Sequence, residues 1–401
     1  MTRDELTRYI KKRAMLILLS PLRLTKTVKK RVVLENCLAH NYSGNIKPIA
    51  EWLNTNYKGS VEIYIVVRHP DVYTGLHKSG IKPIRFHSVK HYLIAMTSAV
   101  IVTNAGGYSY LPLKRDQFVI NTWHGGGAYK KIGIDAYHTD RFYRRELKLA
   151  AKKTNMFLAT GTLFADLISN ALMIPREVFF EIGMPRNDIL LKDDQQLRQR
   201  IRKRIGLLEG EKLVLYAPTY RKINDNHFGT SIAIRYGIDS ERVCWALTER
   251  FGGKWRFAIR MHPQAIRNDE FRGKNVIDLT AYEDMQELLL AADVMINDFS
   301  SSMWDFMLTG KPCFLYAPDL QHYTRTTAMY TPVEKLPFSV AENNEELENN
   351  IYCFDELAYR EACDSHYNKL GGCETGRATQ LVCEEIIKQT KIELQSSVGK
   401  V

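Results

Sequence analysis

From residue 32 onward, short apolar, β-branched runs alternate with stretches whose apolar positions recur at helical spacing. Val32–Glu35, Val61–Val67, Ala99–Thr103 and Phe118–Thr122 predict strands, with helices over Asn45–Asn56 and Lys90–Thr97 between them. A longer basic helix is predicted over Tyr137–Lys153, followed by strands at Met156–Ala159 and Val178–Ile182. After Pro185 the pattern restarts. Leu213–Ala217, Arg256–Arg260, Val276–Leu279, Val294–Asn297 and Cys313–Tyr316 read as strands, and Glu241–Phe251, Asp284–Ala291 and Ser301–Thr309 as helices. Near-continuous apolar strands alternating with helices imply parallel sheets covered on both faces. The expected fold is therefore α/β: two Rossmann-like domains with a cleft between them, over residues 32–185 and 186–375, joined near Gly183–Asp194. Residues 341–401 read as helical, and the last helix, within 376–401, has either domain open to it.

The remaining N-terminal stretch, residues 1–31, carries the apolar run Ala14–Leu19 flanked by Lys11, Lys12, Arg13, Arg23, Lys26, Lys29, Lys30 and Arg31. It is too short to cross a bilayer, which takes roughly 20 apolar residues, and no small-residue cleavage site follows it. Two readings stand: a basic amphipathic segment lying in the interface of an anionic membrane, or a helix packed on its own domain. The chain as a whole has 56 Lys and Arg against 45 Asp and Glu, a net charge of +11 that favours an anionic partner without choosing among nucleic acid, membrane and phosphate-rich substrate. Seven scattered cysteines with no C-x-x-C argue against a disulfide framework or a zinc ribbon and for reduced thiols.

In parallel sheets, ligands bind beyond the carboxyl ends of the strands, and four of the predicted strand ends carry chemistry. After Phe118–Thr122 come His124, Gly125, Gly126 and Gly127, then Lys130: a histidine placed to accept a proton, glycines that let backbone N–H groups approach a ligand, and a cation. After Leu213–Ala217 come Pro218, Thr219 and Arg221, a hydroxyl and a guanidinium suited to phosphate. Arg260 and His262 alternate at strand spacing and so share a face. After Val294–Asn297 come Asp298, Ser300 and Ser301 at a helix start, with Asp305 one turn on to bond a ribose or polyol. Each has an ordinary structural reading: a glycine turn, a proline turn, a bonded core histidine, serine caps. The Walker A loop, G-x-G-x-x-G, D-x-D and H-E-x-x-H are all missing from the sequence, so it offers no motif for ATP hydrolysis, NAD binding or a nucleotide-bridging metal.

Taken together, Tyr42-Ser-Gly-Asn-Ile-Lys-Pro48, Trp123-His-Gly125, Gly183-Met-Pro-Arg-Asn-Asp-Ile-Leu190, Tyr216-Ala-Pro-Thr-Tyr-Arg221, Arg260-Met-His-Pro263, Asp298-Phe-Ser-Ser301 and Glu374-Thr-Gly-Arg-Ala378 resemble, in order and spacing, the CDP-glycerol glycerophosphotransferases of teichoic acid and capsule synthesis. The resemblance implies a glycosyltransferase-B-like fold, a peripheral location on the cytoplasmic face of the membrane, CDP-glycerol as donor, a lipid-linked or polymeric envelope acceptor, CMP as product, no required cofactor and no nucleic-acid partner. It places His124 and His262 at the catalytic histidines, and Arg186, Pro218, Thr219, Arg260, Ser300, Ser301 and Asp305 at positions that hold the CDP-polyol. One departure is visible: many members read Trp-His-Gly-Thr-Pro-Leu-Lys, whereas this chain has one more residue before Lys130. That leaves CDP-ribitol open as donor. The rival readings are a sugar-nucleotide glycosyltransferase of the same fold and a basic membrane- or nucleic-acid-binding protein.

Overall fold

The computed structural model describes residues 3–36, 39–105, 108–136, 141–219, 237–261 and 276–391. The chain forms two compact units. The first comprises Met1–His124, Ile132–Asp188 and Cys373–Val401, and the second Gly125–Lys131 and Ile189–Gly372. The glycine run thus packs with the second unit although its flanks belong to the first. The chain passes from the first unit to the second at Asp188–Ile189 and back at Gly372–Cys373.

The first unit is built on seven strands: β1 (Val28–Glu35), β2 (Glu62–Val67), β3 (Ile81–Arg85), β4 (Ser98–Thr103), β5 (Phe118–Asn121), β6 (Met156–Ala159) and β7 (Phe179–Glu181). They run in the order β3-β2-β1-β4-β5-β6-β7, every pair parallel. Side chains alternate across the sheet, so Val32 and Leu34 enter one core with Ile46, Ile49 and Leu53, while Val33 enters a second with Met96 and Ile101. The final helix, Ala378–Thr390, packs on this unit, with Val382, Cys383, Ile386 and Ile387 in the first of those cores. Its N-terminal N–H groups meet the buried Asp188 carboxylate, 3.0 Å from Ala378 N and 2.8 Å from Thr379 N. Glu374 anchors the same junction by accepting from Met184 N at 3.0 Å and Asn187 Nδ2 at 2.9 Å. The segments 184–188 and 374–379 thus clasp each other.

The second unit has six strands: β8 (Glu211–Tyr216), β9 (Lys254–Ile259), β10 (Val276–Asp278), β11 (Val294–Asn297), β12 (Cys313–Tyr316) and β13 (Val340–Ala341). Their order is β10-β9-β8-β11-β12-β13, again all parallel. Two parallel sheets, each covered by helices, make this a glycosyltransferase-B-like α/β fold. The pattern reading missed β3, where Lys82 and Pro83 interrupt the apolar run. Proline is tolerated there because β3 is an edge strand. It also missed the helices Thr162–Leu172 and Gln195–Arg204, the second of which is almost wholly polar. The six cysteines among the described residues form no disulfide.

The N-terminal helix Arg3–Leu18 and the turn Ser20–Leu24 divide their apolar residues. Leu19 is buried and Met15 and Leu22 pack beside it, Tyr9 rests on Phe142, and Lys12 pairs with Glu146 at 2.6 Å. Ile17, Leu18 and Leu24 instead remain 75%, 71% and 90% exposed. The segment therefore packs on its own domain through Leu19, Met15 and Leu22 and leaves Ile17, Leu18 and Leu24 uncovered. No helix among the described residues is long and apolar enough to cross a membrane.

Candidate active site

Each sheet reverses its strand order once, between β1 and β4 in the first unit and between β8 and β11 in the second. Helices leave such a point in opposite directions and open a crevice at the strand ends. Among the described residues, Thr219 and Asp298 stand at the second of these reversals, while His124 and Arg260 follow the strands next to a reversal, β5 and β9.

In the first unit, β5 ends at Asn121 and the chain turns sharply through Trp123, whose φ of 53° is left-handed and unusual for a tryptophan. The turn is held from both sides. Trp123 N donates to Asn121 Oδ1 at 2.9 Å, and Asn45 Nδ2 donates to the Trp123 carbonyl at 3.0 Å. His124 follows, exposed, with Nδ1 2.8 Å from the Asn104 carbonyl. A carbonyl only accepts, so Nδ1 carries the hydrogen and Nε2 keeps its lone pair. Arg186 donates from its guanidinium to the His124 carbonyl at 2.8 Å, and its own N–H donates to Asn45 Oδ1 at 3.1 Å. The His124 imidazole is held below its ordinary pKa, first by desolvation within the surrounding protein and then by the Arg186 charge, with the Asn104 carbonyl opposing both. Either cause leaves the ring neutral and basic at neutral pH.

In the second unit, the β8 and β11 ends are joined directly. Thr219 N donates to Asp298 Oδ1 at 2.5 Å, and Thr219 Oγ1 lies 3.3 Å from the Asp298 carbonyl. Asp298 is fully buried, so its carboxylate ties the two strand ends together. Asn297 braces the turn beyond it, with Oδ1 accepting from Ser300 N at 3.2 Å and Nδ2 donating to Ser302 Oγ at 3.1 Å. Phe299 takes a φ of 74°, a strained position supported by its stacking on Tyr323 at 4.9 Å. Ser300 and Ser301 stay partly exposed at the start of the helix Ser302–Met307, and Ser301 caps nothing with its side chain. Asp305 points inward, buried, and accepts from Gln286 Nε2 at 2.9 Å. Through that bond it braces the helix from within.

Arg260 follows β9, its N–H bonded to the Tyr216 carbonyl at 2.9 Å and its Nε to the Tyr282 carbonyl at 3.2 Å. Desolvation lowers its pKa somewhat and Asp284 opposes the change, but a guanidinium stays charged throughout the accessible range. Arg221 and His262 lie outside the described residues.

The glycine run has a packing reason. A Cβ on Gly126 would lie 2.3 Å from Trp304 Cδ1, and one on Gly127, whose φ is +75°, 2.5 Å from the Tyr129 ring. Trp304 itself is fully buried and stacks on Tyr367 at 5.5 Å. Tyr129 stacks on His366, and Lys130 lies 5.4 Å over the Tyr323 ring while its backbone bridges to Met329. So aromatic rings leave no room for a side chain at Gly126 or Gly127. Asn45 and Asn104 were missed as site residues. Asn104 stands just beyond an apolar strand and Asn45 just before a helix.

The chain matches, over residues 18–388, the model of the family described as CDP-glycerol:poly(glycerophosphate) glycerophosphotransferase. It is 26% identical over 372 residues to a teichoic acid glycerol-phosphate transferase of Staphylococcus aureus, covering 90% of this chain and 93% of that one. It is 25% identical over 380 residues to a teichoic acid poly(glycerol phosphate) polymerase of Staphylococcus epidermidis, of which it spans only 51%. Among solved structures, the wall teichoic acid polymerase TagF superposes with a TM-score of 0.80 at 23% identity, over 98% of this chain and 99% of that one, which is a likeness of fold. With the family model covering nearly the whole length, the chain belongs to the CDP-glycerol:poly(glycerophosphate) glycerophosphotransferase family.

Proposed function

We propose that the protein transfers glycerol-phosphate, or a related polyol-phosphate such as ribitol-phosphate, from a CDP-activated donor to a hydroxyl of a teichoic-acid or capsule-type polymer and releases CMP. The observation that carries this reading is His124. It is a neutral imidazole beyond β5, with Nδ1 occupied by the carbonyl of Asn104 at the strand-order reversal and Nε2 left with its lone pair. In the reaction the acceptor oxygen attacks the β-phosphorus, the bond from that phosphorus to the bridging oxygen breaks, CMP leaves, and the hydroxyl proton passes to Nε2. Thr219, Ser300, Ser301, Arg260, Arg186 and His262 are the groups we assign to the phosphate charge, Arg221 and Lys130 adding cations. Pro218 shapes the turn that presents Thr219. The buried Asp298 and Asp305 keep that turn and its helix in place.

The test is to incubate the protein with membrane acceptor and each candidate donor and to identify the released nucleotide. CMP with phosphorus-bearing polymer is the expected result. Release of a nucleoside diphosphate with a phosphate-free product would instead establish a sugar transferase of the same fold. The same assay with excess chelator tests the metal-free reading that the missing D-x-D motivates. Most of the activity is expected to remain, and a complete loss restored by one divalent ion would overturn it.

We also propose that the protein works at an anionic membrane surface, peripherally and from the cytoplasmic face, and needs no nucleic acid. The support is the exposed Ile17, Leu18 and Leu24 beside Lys11, Arg23 and Lys26. Each such side chain gains up to roughly 1.5–3 kcal/mol when it leaves water. Ile17→Glu, Leu18→Glu and Leu24→Glu together are expected to abolish co-sedimentation with phosphatidylglycerol vesicles while leaving the fold intact. Unchanged binding would move the membrane contact elsewhere. Deleting residues 1–31 is a poorer test, because it removes half of β1.

A further inference from the structure

Three strands of the first sheet end in asparagine: Asn36 just after β1, Asn104 just after β4 and Asn121 at the end of β5. Pairing of Glu35 with Thr103 sets Asn36 and Asn104 side by side at the strand-order reversal. Both are buried. Asn104 Nδ2 donates to Asn36 Oδ1, and Asn36 Nδ2 donates to Asn41 Oδ1 at 2.7 Å. Asn104 Oδ1 is buried without a partner among the described residues, so this side chain is secured through its amide nitrogen. The Asn104 backbone carbonyl then takes the His124 Nδ1 hydrogen at 2.8 Å.

We propose that Asn36 and Asn104 are positioning residues which, through the chain Asn41–Asn36–Asn104, fix the tautomer and orientation of His124. Neither side chain contacts the His124 ring in this chain of bonds, and neither is assigned a substrate contact. A neutral imidazole free in water favours the hydrogen on Nε2, the form that has no lone pair there to receive a proton. Reversing that preference takes a fixed acceptor opposite Nδ1. The Asn104 carbonyl is that acceptor, and it stays in place only as firmly as the residue carrying it. Asparagine suits the task because one side chain accepts at Oδ1 and donates at Nδ2, so it passes a hydrogen-bond direction from one neighbour to the next. An aspartate has no donor and a serine is too short to bridge two strand ends. The proposal rests on the reading of His124 as the base.

The experiment uses the full chain labelled with ¹⁵N at histidine and assayed with CDP-glycerol. Asn36→Ala and Asn104→Ala are expected to lower kcat by roughly 10–100-fold, the scale of a small misplacement of a catalytic group. KM for the donor is expected to stay within about twofold, and the His124 ¹⁵N shifts to move from a single Nδ1–H form to a mixture. Asn36→Asp keeps the acceptor for Asn104 but loses the donor to Asn41, and is expected to fall between the wild type and Asn36→Ala in both rate and tautomer. Where Asn36→Ala folds poorly, Asn41→Ala at the partly exposed end of the chain is read instead, with the same change in smaller degree. Alanine variants that lose thermal stability or activity while His124 keeps its wild-type tautomer would show these asparagines to be structural only, and the proposal would fall. The nitrogen shifts report on His124 whether or not the enzyme turns over. Failure of the base assignment, seen as an active His124→Ala, is therefore distinguishable from failure of the positioning chain.

Discussion

His124→Ala is expected to reduce turnover by roughly 10²–10⁴-fold, the usual contribution of a positioned general base, with the folded state retained. The residue is exposed and its ring bonds a backbone carbonyl, so its loss leaves no cavity in a core. The backbone turn is held by Asn45, Asn121 and Arg186, all of which act on main-chain or neighbouring atoms and persist without the imidazole. Near-wild-type turnover in a folded His124→Ala protein would remove the base assignment. The pH profile supplies a second check. The base works in its neutral form, and Arg186 lowers the pKa at which that form is lost on acidification. Arg186→Gln takes away the positive charge, lets the His124 pKa rise, and is expected to move the acid limb of kcat/KM to higher pH. A limb that stays in place would mean that desolvation alone sets the value. Arg186 is also assigned to the donor phosphate, so a fall in rate alone does not decide this point, whereas the direction of the limb does.

Trp304→Ala is expected to destabilise the second unit by about 3–5 kcal/mol, the range for truncating a buried tryptophan, and to lower its thermal transition by on the order of 10 °C. The indole is fully buried, stacks on Tyr367, and forms the surface on which Gly126 and Gly127 rest. Removing it leaves a hole that backbone cannot fill. Gly126→Ala probes the same contact from the other side. Its new methyl would sit 2.3 Å from Trp304 Cδ1, so the ring must move, at a cost of about 1–3 kcal/mol. If the packing account is right, Trp304→Phe should relieve much of that cost, and the double variant should be more stable than the sum of the singles predicts. Strict additivity would point to a ligand-contact role for Gly126. Differential scanning calorimetry reads all four states.

The architecture and the location of the candidate chemistry were legible in the chain because both rest on local patterns. Apolar runs such as Leu213–Tyr216 and Val294–Asn297 are long enough to specify strands, and parallel sheets confine their polar residues to the strand ends. His124, Thr219 and Ser300 therefore stood out without any knowledge of their neighbours. What local pattern cannot carry is partnership between residues far apart in sequence. The direction of Asp305 depends on Gln286, nineteen positions away. The reason for Gly126 is Trp304, and the docking of the last helix depends on Asp188 at its start and on the apolar face it shares with Ile46 and Leu53. Asp298 reads in sequence as a ligand contact and in three dimensions as the tie between β8 and β11. The sequence by itself determined most of the strands, where they end and which reactive groups stand there, because backbone periodicity and burial act over a few residues; β3, interrupted by Lys82 and Pro83, escaped it. Only the tertiary structure decided which of those groups face outward with a lone pair or hydroxyl to offer and which are turned inward to hold the fold. Strand order places distant residues side by side, and a buried polar group takes whichever partner that order supplies.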